Sequence, residues 1–259
     1  MVRRFFSQAW LYHKGRTAAF DLAEFLCLDA GYPIITLIFY CLLASYCFRT
    51  NDLSRWVVGN AFLMCTNTCV FGLGGVFTGE RYNGRLRSIV AAPCAKLPLV
   101  LASGVFPALL ASVAVAAGFA LGGLLFGVDF SGLDLGRAAL SILCAMVSAS
   151  CFGLFISVFG LLTDSIHMVL NVTSYLLLIF TGAEFPVSQL PAAGQLLSRV
   201  LPLTRSIEAM NLLFSGGGAR FSALLLGELA LAAVYVLLAL AVFRSVERAC
   251  RRNGKLDLF

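Results

Sequence analysis

Cys65 and Cys69 stand one helical turn apart, a spacing at which two thiolates could hold a metal. No His or carboxylate joins them at ligand spacing, and most of the nine cysteines (Cys27, Cys41, Cys47, Cys65, Cys69, Cys144, Cys151) lie in or beside apolar runs. There Cys acts as a small hydrophobe, so no metal site is expected. Asp164 and His167 share a short loop and read as solvated residues rather than a proton relay. With two histidines and no nucleophile motif, no catalytic residue is expected. The glycine clusters "GLGG" (72–75) and "SGGG" (215–218) lack the Lys-Ser/Thr of a phosphate loop, so the chain is not expected to bind ATP by that mechanism.

Two polar stripes inside apolar runs are better candidates for a site. Asn60, Met64, Asn67 and Phe71 repeat at helical spacing, with Thr66 and Thr68 beside them. Asn171, Ser174 and Leu178 align similarly, next to Thr173 and Tyr175. Such residues either hydrogen-bond between packed helices or line a pathway, and both readings stay open. Glu228 is an ionisable residue within an apolar run, close to one end, and a structural role is expected. A third candidate is "ERYNGRLRSIVAAP", where Leu86, Ile89, Val90 and Pro93 form one helical stripe and Arg81, Arg85 and Ser88 another face. Pro93 is expected to end that helix.

The elements that must position these residues are membrane spans. The chain is 60% hydrophobic and 12% charged, with mean hydropathy +0.91, against about 45–50% and 25% for soluble domains. Its apolar runs are long enough to cross a hydrocarbon core of about 30 Å. Six spans are expected, near 26–48, 56–78, 98–127, 137–162, 168–182 and 222–243, preceded by an interfacial amphipathic helix over 1–25. The fold class is therefore all-α, with 26–259 as one membrane domain. Placing the N-terminus inside puts Arg3, Arg4, Lys14, Arg16, Arg81, Arg85, Arg87, Lys96 and the basic C-terminal tail in the cytoplasm. Both termini are thus expected there. The net charge of +6 follows from this flanking and not from nucleic-acid binding.

Two connections carry structure of their own, 79–97 inside and 183–221 outside. The first, through Glu80, Arg81, Gly84, Leu86 and Pro93, resembles the Glu-Arg-x-x-Gly-x-Leu…Pro stretch of ABC-2 type transporter permeases. Ala92 replaces a usual Ser, and Arg87 an often acidic residue. The second, "TGAEFPVSQLPAAGQLLSRVLPLTRSIEAMNLL", resembles the family's Gly-x-x-Phe-Pro…Leu-Pro…Pro-Leu-Thr…Glu-Ala pattern through Gly182, Phe185, Pro186, Pro191, Pro202 and Glu208. Met210 and Asn211 stand where an Arg often follows.

The resemblance implies a non-enzymatic permease of an ATP-driven exporter in a prokaryotic plasma membrane. It implies a coupling helix over 81–93 that docks on an ATP-binding subunit, two copies of which carry ATP and Mg. A second permease, identical or paralogous, is implied too, with a pathway along the second and fifth spans and a short re-entrant extracellular cap over 183–221. The chain itself is expected to hold no cofactor, and membrane lipids are its other partners. Few and uncharged polar residues favour an amphiphilic small molecule, a drug or peptide. A lipid-linked glycan or polysaccharide is the alternative, and a secondary transporter or channel a more distant one.

Overall fold

The computed structural model describes residues 7, 10, 31–50, 52–76, 78–79, 84, 96–130, 132–160, 163, 165–216 and 218–253. The interfacial helix expected over 1–25 lies outside them save Ser7 and Trp10, as does most of the segment 79–97. Among the described residues every regular element is a helix. We label them α1 (Tyr32–Phe48), α2 (Ser54–Leu63), α3 (Lys96–Phe126), α4 (Leu135–Phe159), α5 (Ile166–Phe180), α6 (Ala192–Val200), α7 (Thr204–Phe214) and α8 (Phe221–Asn253). A π-helix over Thr66–Gly72 continues α2.

Three helical stretches, Ser103–Phe126, Leu135–Phe159 and Phe221–Ser245, are long and apolar enough to cross a membrane, and α1 and α5 are shorter apolar helices. The second expected span is a composite, because the helix changes its winding at Thr66. The first is described from Tyr32 onward, where Pro33 occupies the first turn, a place where its missing N–H costs nothing. Helix boundaries elsewhere have local causes. Asp134 caps α4, its carboxylate accepting from the backbone N–H of Gly136 (3.0 Å) and Arg137 (3.2 Å). Pro186 precedes a short 3₁₀ turn (Val187–Gln189), Pro191 precedes α6, and Pro202 stands between α6 and α7. Each proline breaks the continuity that a straight span would need.

α4 is the hub. It packs against α3, α8 and the π-helix, and its buried face is built of small residues (Ala145, Ser148, Ala149, Gly153) that let neighbouring backbones come close. At Gly153 a side chain would collide with the Cys69 carbonyl of the π-helix. A run of edge-to-face rings, Phe62 on Phe119 (5.8 Å), Phe119 on Phe130 (6.0 Å) and Phe130 on Phe214 (5.6 Å), ties α2, α3 and α7 together.

Within the segment expected as a helix over 81–93, Gly84 alone is described, with a left-handed φ of +66°. The other residues of the basic segment (Glu80, Arg81, Arg85, Leu86, Ile89, Val90, Pro93) lie outside the described residues.

Candidate functional site

A cavity of about 350 Å³ lies where α1, α2, the π-helix and α5 meet. Of the two polar stripes, Asn60, Met64, Phe71, Asn171, Ser174 and Tyr175 all line it. The side chain of Asn67 lies outside the described residues, and Thr66, beside the stripe, also lines the wall. α1 supplies Tyr32, Thr36 and Tyr40, which the two stripes did not include.

Hydrogen bonds at two of these positions stay within one helix. Asn60 Nδ2 donates to the Trp56 carbonyl at 3.0 Å, and the Ser174 hydroxyl to the Leu170 carbonyl at 3.0 Å. At these two residues the geometry is not that of interhelical bridging. Tyr32 and Tyr175 line the cavity yet remain 62% and 66% exposed, so the cavity opens between α1 and α5. Among the described residues no charged side chain is part of its wall.

The segment that follows α5 packs on α2 next to the wall residue Asn60. Gly59 of α2 packs directly on Ala183, where a Cβ would come within 2.5 Å of the Ala183 backbone. Arg55 Nη2 donates to the Gly182 carbonyl at 3.3 Å. The chain then doubles back: the Ser198 hydroxyl of α6 donates to the Phe180 carbonyl at the end of α5 (2.6 Å). Gln195 Nε2 donates to the Leu190 carbonyl (2.8 Å) and fastens the turn between.

A model of the ABC-2 type transporter matches residues 30–214, taking in the cavity and the doubled-back segment. The chain belongs to the ABC-2 type transporter family. No curated protein matches the chain significantly. Family membership makes this protein the membrane permease of an ABC transporter, a type that works with an ABC ATP-binding partner.

In this ABC-2 permease the residues expected in a cap have distinct surroundings. Phe185 is about half exposed, Pro186 is partly covered, Pro202 is buried, and Pro191 and Glu208 are exposed. The segment between α6 and α7 is pinned by two contacts to α8. Glu228 is fully buried, and its Oε1 accepts from the Leu203 backbone N–H at 2.8 Å. Leu203 has φ +72°, a left-handed conformation costly for a branched side chain. Tyr235 donates its hydroxyl to the Val200 carbonyl and stacks on Phe155. Glu228 therefore does not reach out to an interface; its structural role is to hold the backbone that enters α7.

Sequence reasoning passed over Glu184, which stood as an unspecified position of the Gly-x-x-Phe-Pro pattern. It lies beside Asn60 of the cavity wall. Burial pushes its carboxyl above the usual carboxylate range, and the Asn60 amide acts in the opposite direction. The available signal was a carboxylate four residues beyond the apolar run that ends at Phe180.

Proposed function

We propose that the chain is the permease subunit of an ATP-driven exporter that moves an amphiphilic small molecule, drug or peptide outward across a prokaryotic plasma membrane. The reading rests on the family together with one observation: the residues of both polar stripes converge on a cavity with an uncharged, largely aromatic and aliphatic wall. In this proposal α1, α2 with its π-helix, α3, α4, α5 and α8 are the six spans, with both termini in the cytoplasm. Residues 183–221 then form the outer cap. The opening between Tyr32 and Tyr175 faces a second permease, identical or paralogous, or lipid. The permease holds no cofactor and catalyses nothing itself. Two ATP-binding subunits, carrying ATP and Mg, close on each other, and the segment around 81–93 passes their motion to the spans.

The test is co-expression with candidate ATP-binding subunits, purification of the complex and measurement of ATPase activity across a substrate panel. Co-purification with substrate-stimulated hydrolysis is expected. Transport that answers only to an ion gradient, with no ATPase bound, would overturn the proposal. In the same preparation, Leu86→Asp with Ile89→Asp is expected to lower the bound ATPase at least tenfold while membrane insertion stays normal. Unchanged ATPase binding and export would remove the role given to this apolar stripe.

The wall is tested separately by Asn171→Ala with Tyr175→Ala. Both residues are exposed, so the cost in stability should stay within about 1 kcal/mol. Substrate-stimulated transport is expected to fall about tenfold at an unchanged melting temperature, on the order of 1.4 kcal/mol of lost interaction. Full transport in the double variant would show that the cavity is not the pathway.

A further inference from the structure

Among the described residues the cavity wall carries no charge, but a carboxylate stands beside one of its members. Ala183 lies against Gly59 and Gly182 against Arg55, which sets the next residue, Glu184, beside Asn60 of the wall. The Glu184 charge also acts on the Tyr40 hydroxyl of α1, and Tyr40 lines the cavity. Glu184 Oε1 is buried with no hydrogen-bond partner. Among the described residues no ion pair joins it to a cation; the neighbouring Arg55 donates to a backbone carbonyl instead. A shielded carboxylate with only the Asn60 amide beside it and no cation is unfavourable, and a cation brought to it is held strongly because little water intervenes. The same cavity offers three tyrosine rings, Tyr32, Tyr40 and Tyr175, whose faces attract a poorly hydrated cation.

We propose that this cavity selects lipophilic organic cations, with the Glu184 carboxylate as the fixed countercharge at the end nearest the turn between α5 and α6. The assignment rests on the reading of the cavity as the substrate pathway and names the charge of what travels there. Apolar wall and ring faces hold the body of the molecule, and the carboxylate discriminates by sign. A neutral amphiphile of equal size would bind through the wall alone, and an anion would be repelled.

Two ions of the same shape and opposite charge, tetraphenylphosphonium and tetraphenylborate, test this directly. Their binding is measured on the full chain in nanodiscs without ATP, after subtracting binding to protein-free nanodiscs. The wild type is expected to hold the phosphonium at least tenfold more tightly than the borate. Glu184→Gln is expected to abolish that preference with a melting temperature close to wild type, whereas Glu184→Asp should keep phosphonium affinity within about threefold. Equal affinity of the wild type for both ions would overturn the proposal. So would an unchanged preference in Glu184→Gln, or an equal loss of both ions there, which marks a packing role. Binding of neither ion would overturn it too. The outcome stands apart from the exporter reading. Charge preference without ATP-coupled transport removes only the exporter, and ATP-coupled transport indifferent to charge removes only the cation assignment.

Discussion

Glu228→Ala is expected to lower the stability of the permease by about 3 kcal/mol, roughly a hundredfold in the folded-to-unfolded ratio. The carboxylate is fully buried and accepts from the Leu203 backbone N–H. Removing it leaves that donor buried without a partner, which alone costs about 1–3 kcal/mol. It also removes the acceptor that offsets the left-handed backbone at Leu203, where φ is +72°. The Arg205 guanidinium, which feels the charge of Glu228, loses its nearby anion as well. Glu228→Gln separates the two contributions, since an amide oxygen can still accept from Leu203. If the hydrogen bond dominates, the glutamine variant should lose about 1 kcal/mol or less. If the charge dominates, it should behave like alanine. Thermal unfolding of the detergent-solubilised protein measures both. An alanine variant as stable as wild type would show that the cap does not depend on this contact.

The same residue shows how far a linear reading reaches. A carboxylate in an apolar run was visible as a structural feature, but its partner lies twenty-five positions away on a short helix entry. Nothing in local spacing announces that pairing. The prolines at 186, 191 and 202 were more legible, because proline acts on its own backbone and breaks a helix whatever surrounds it. The polar stripes were legible in part. Asn171, Ser174 and Tyr175 keep their expected relation because α5 is a regular α-helix. Beyond Met64 the chain continues as a π-helix, which depends on what packs against residues 66–72 and not on their own propensities. Glu184 escaped notice for a related reason: its position matters only because the chain folds Ala183 onto Gly59.

Gly153→Ala is expected to be the more damaging change, although it adds a single methyl group. A Cβ at this position would collide with the Cys69 backbone carbonyl, which is part of the π-helix and cannot swing aside as a side-chain end would. Either α4 withdraws from the π-helix or the carbonyl gives up its place. The first option opens the interface that buries Val70, Leu73 and Phe152. Overpacking of an ordinary core costs about 1–3 kcal/mol, and a clash with main chain should exceed that range. The damage should extend to binding, because the π-helix supplies Thr66 and Phe71 to the cavity wall. Gly132→Ala is the control, since nothing lies within 4 Å of its Cβ position. We expect Gly153→Ala to give a low yield of monodisperse protein on size-exclusion chromatography and a melting temperature several degrees below wild type. Whatever folds should bind substrate more weakly, whereas Gly132→Ala should match wild type throughout. A Gly153→Ala protein with normal yield, stability and binding would mean that α4 and the π-helix do not need this close approach, and that the shape of the cavity is set elsewhere.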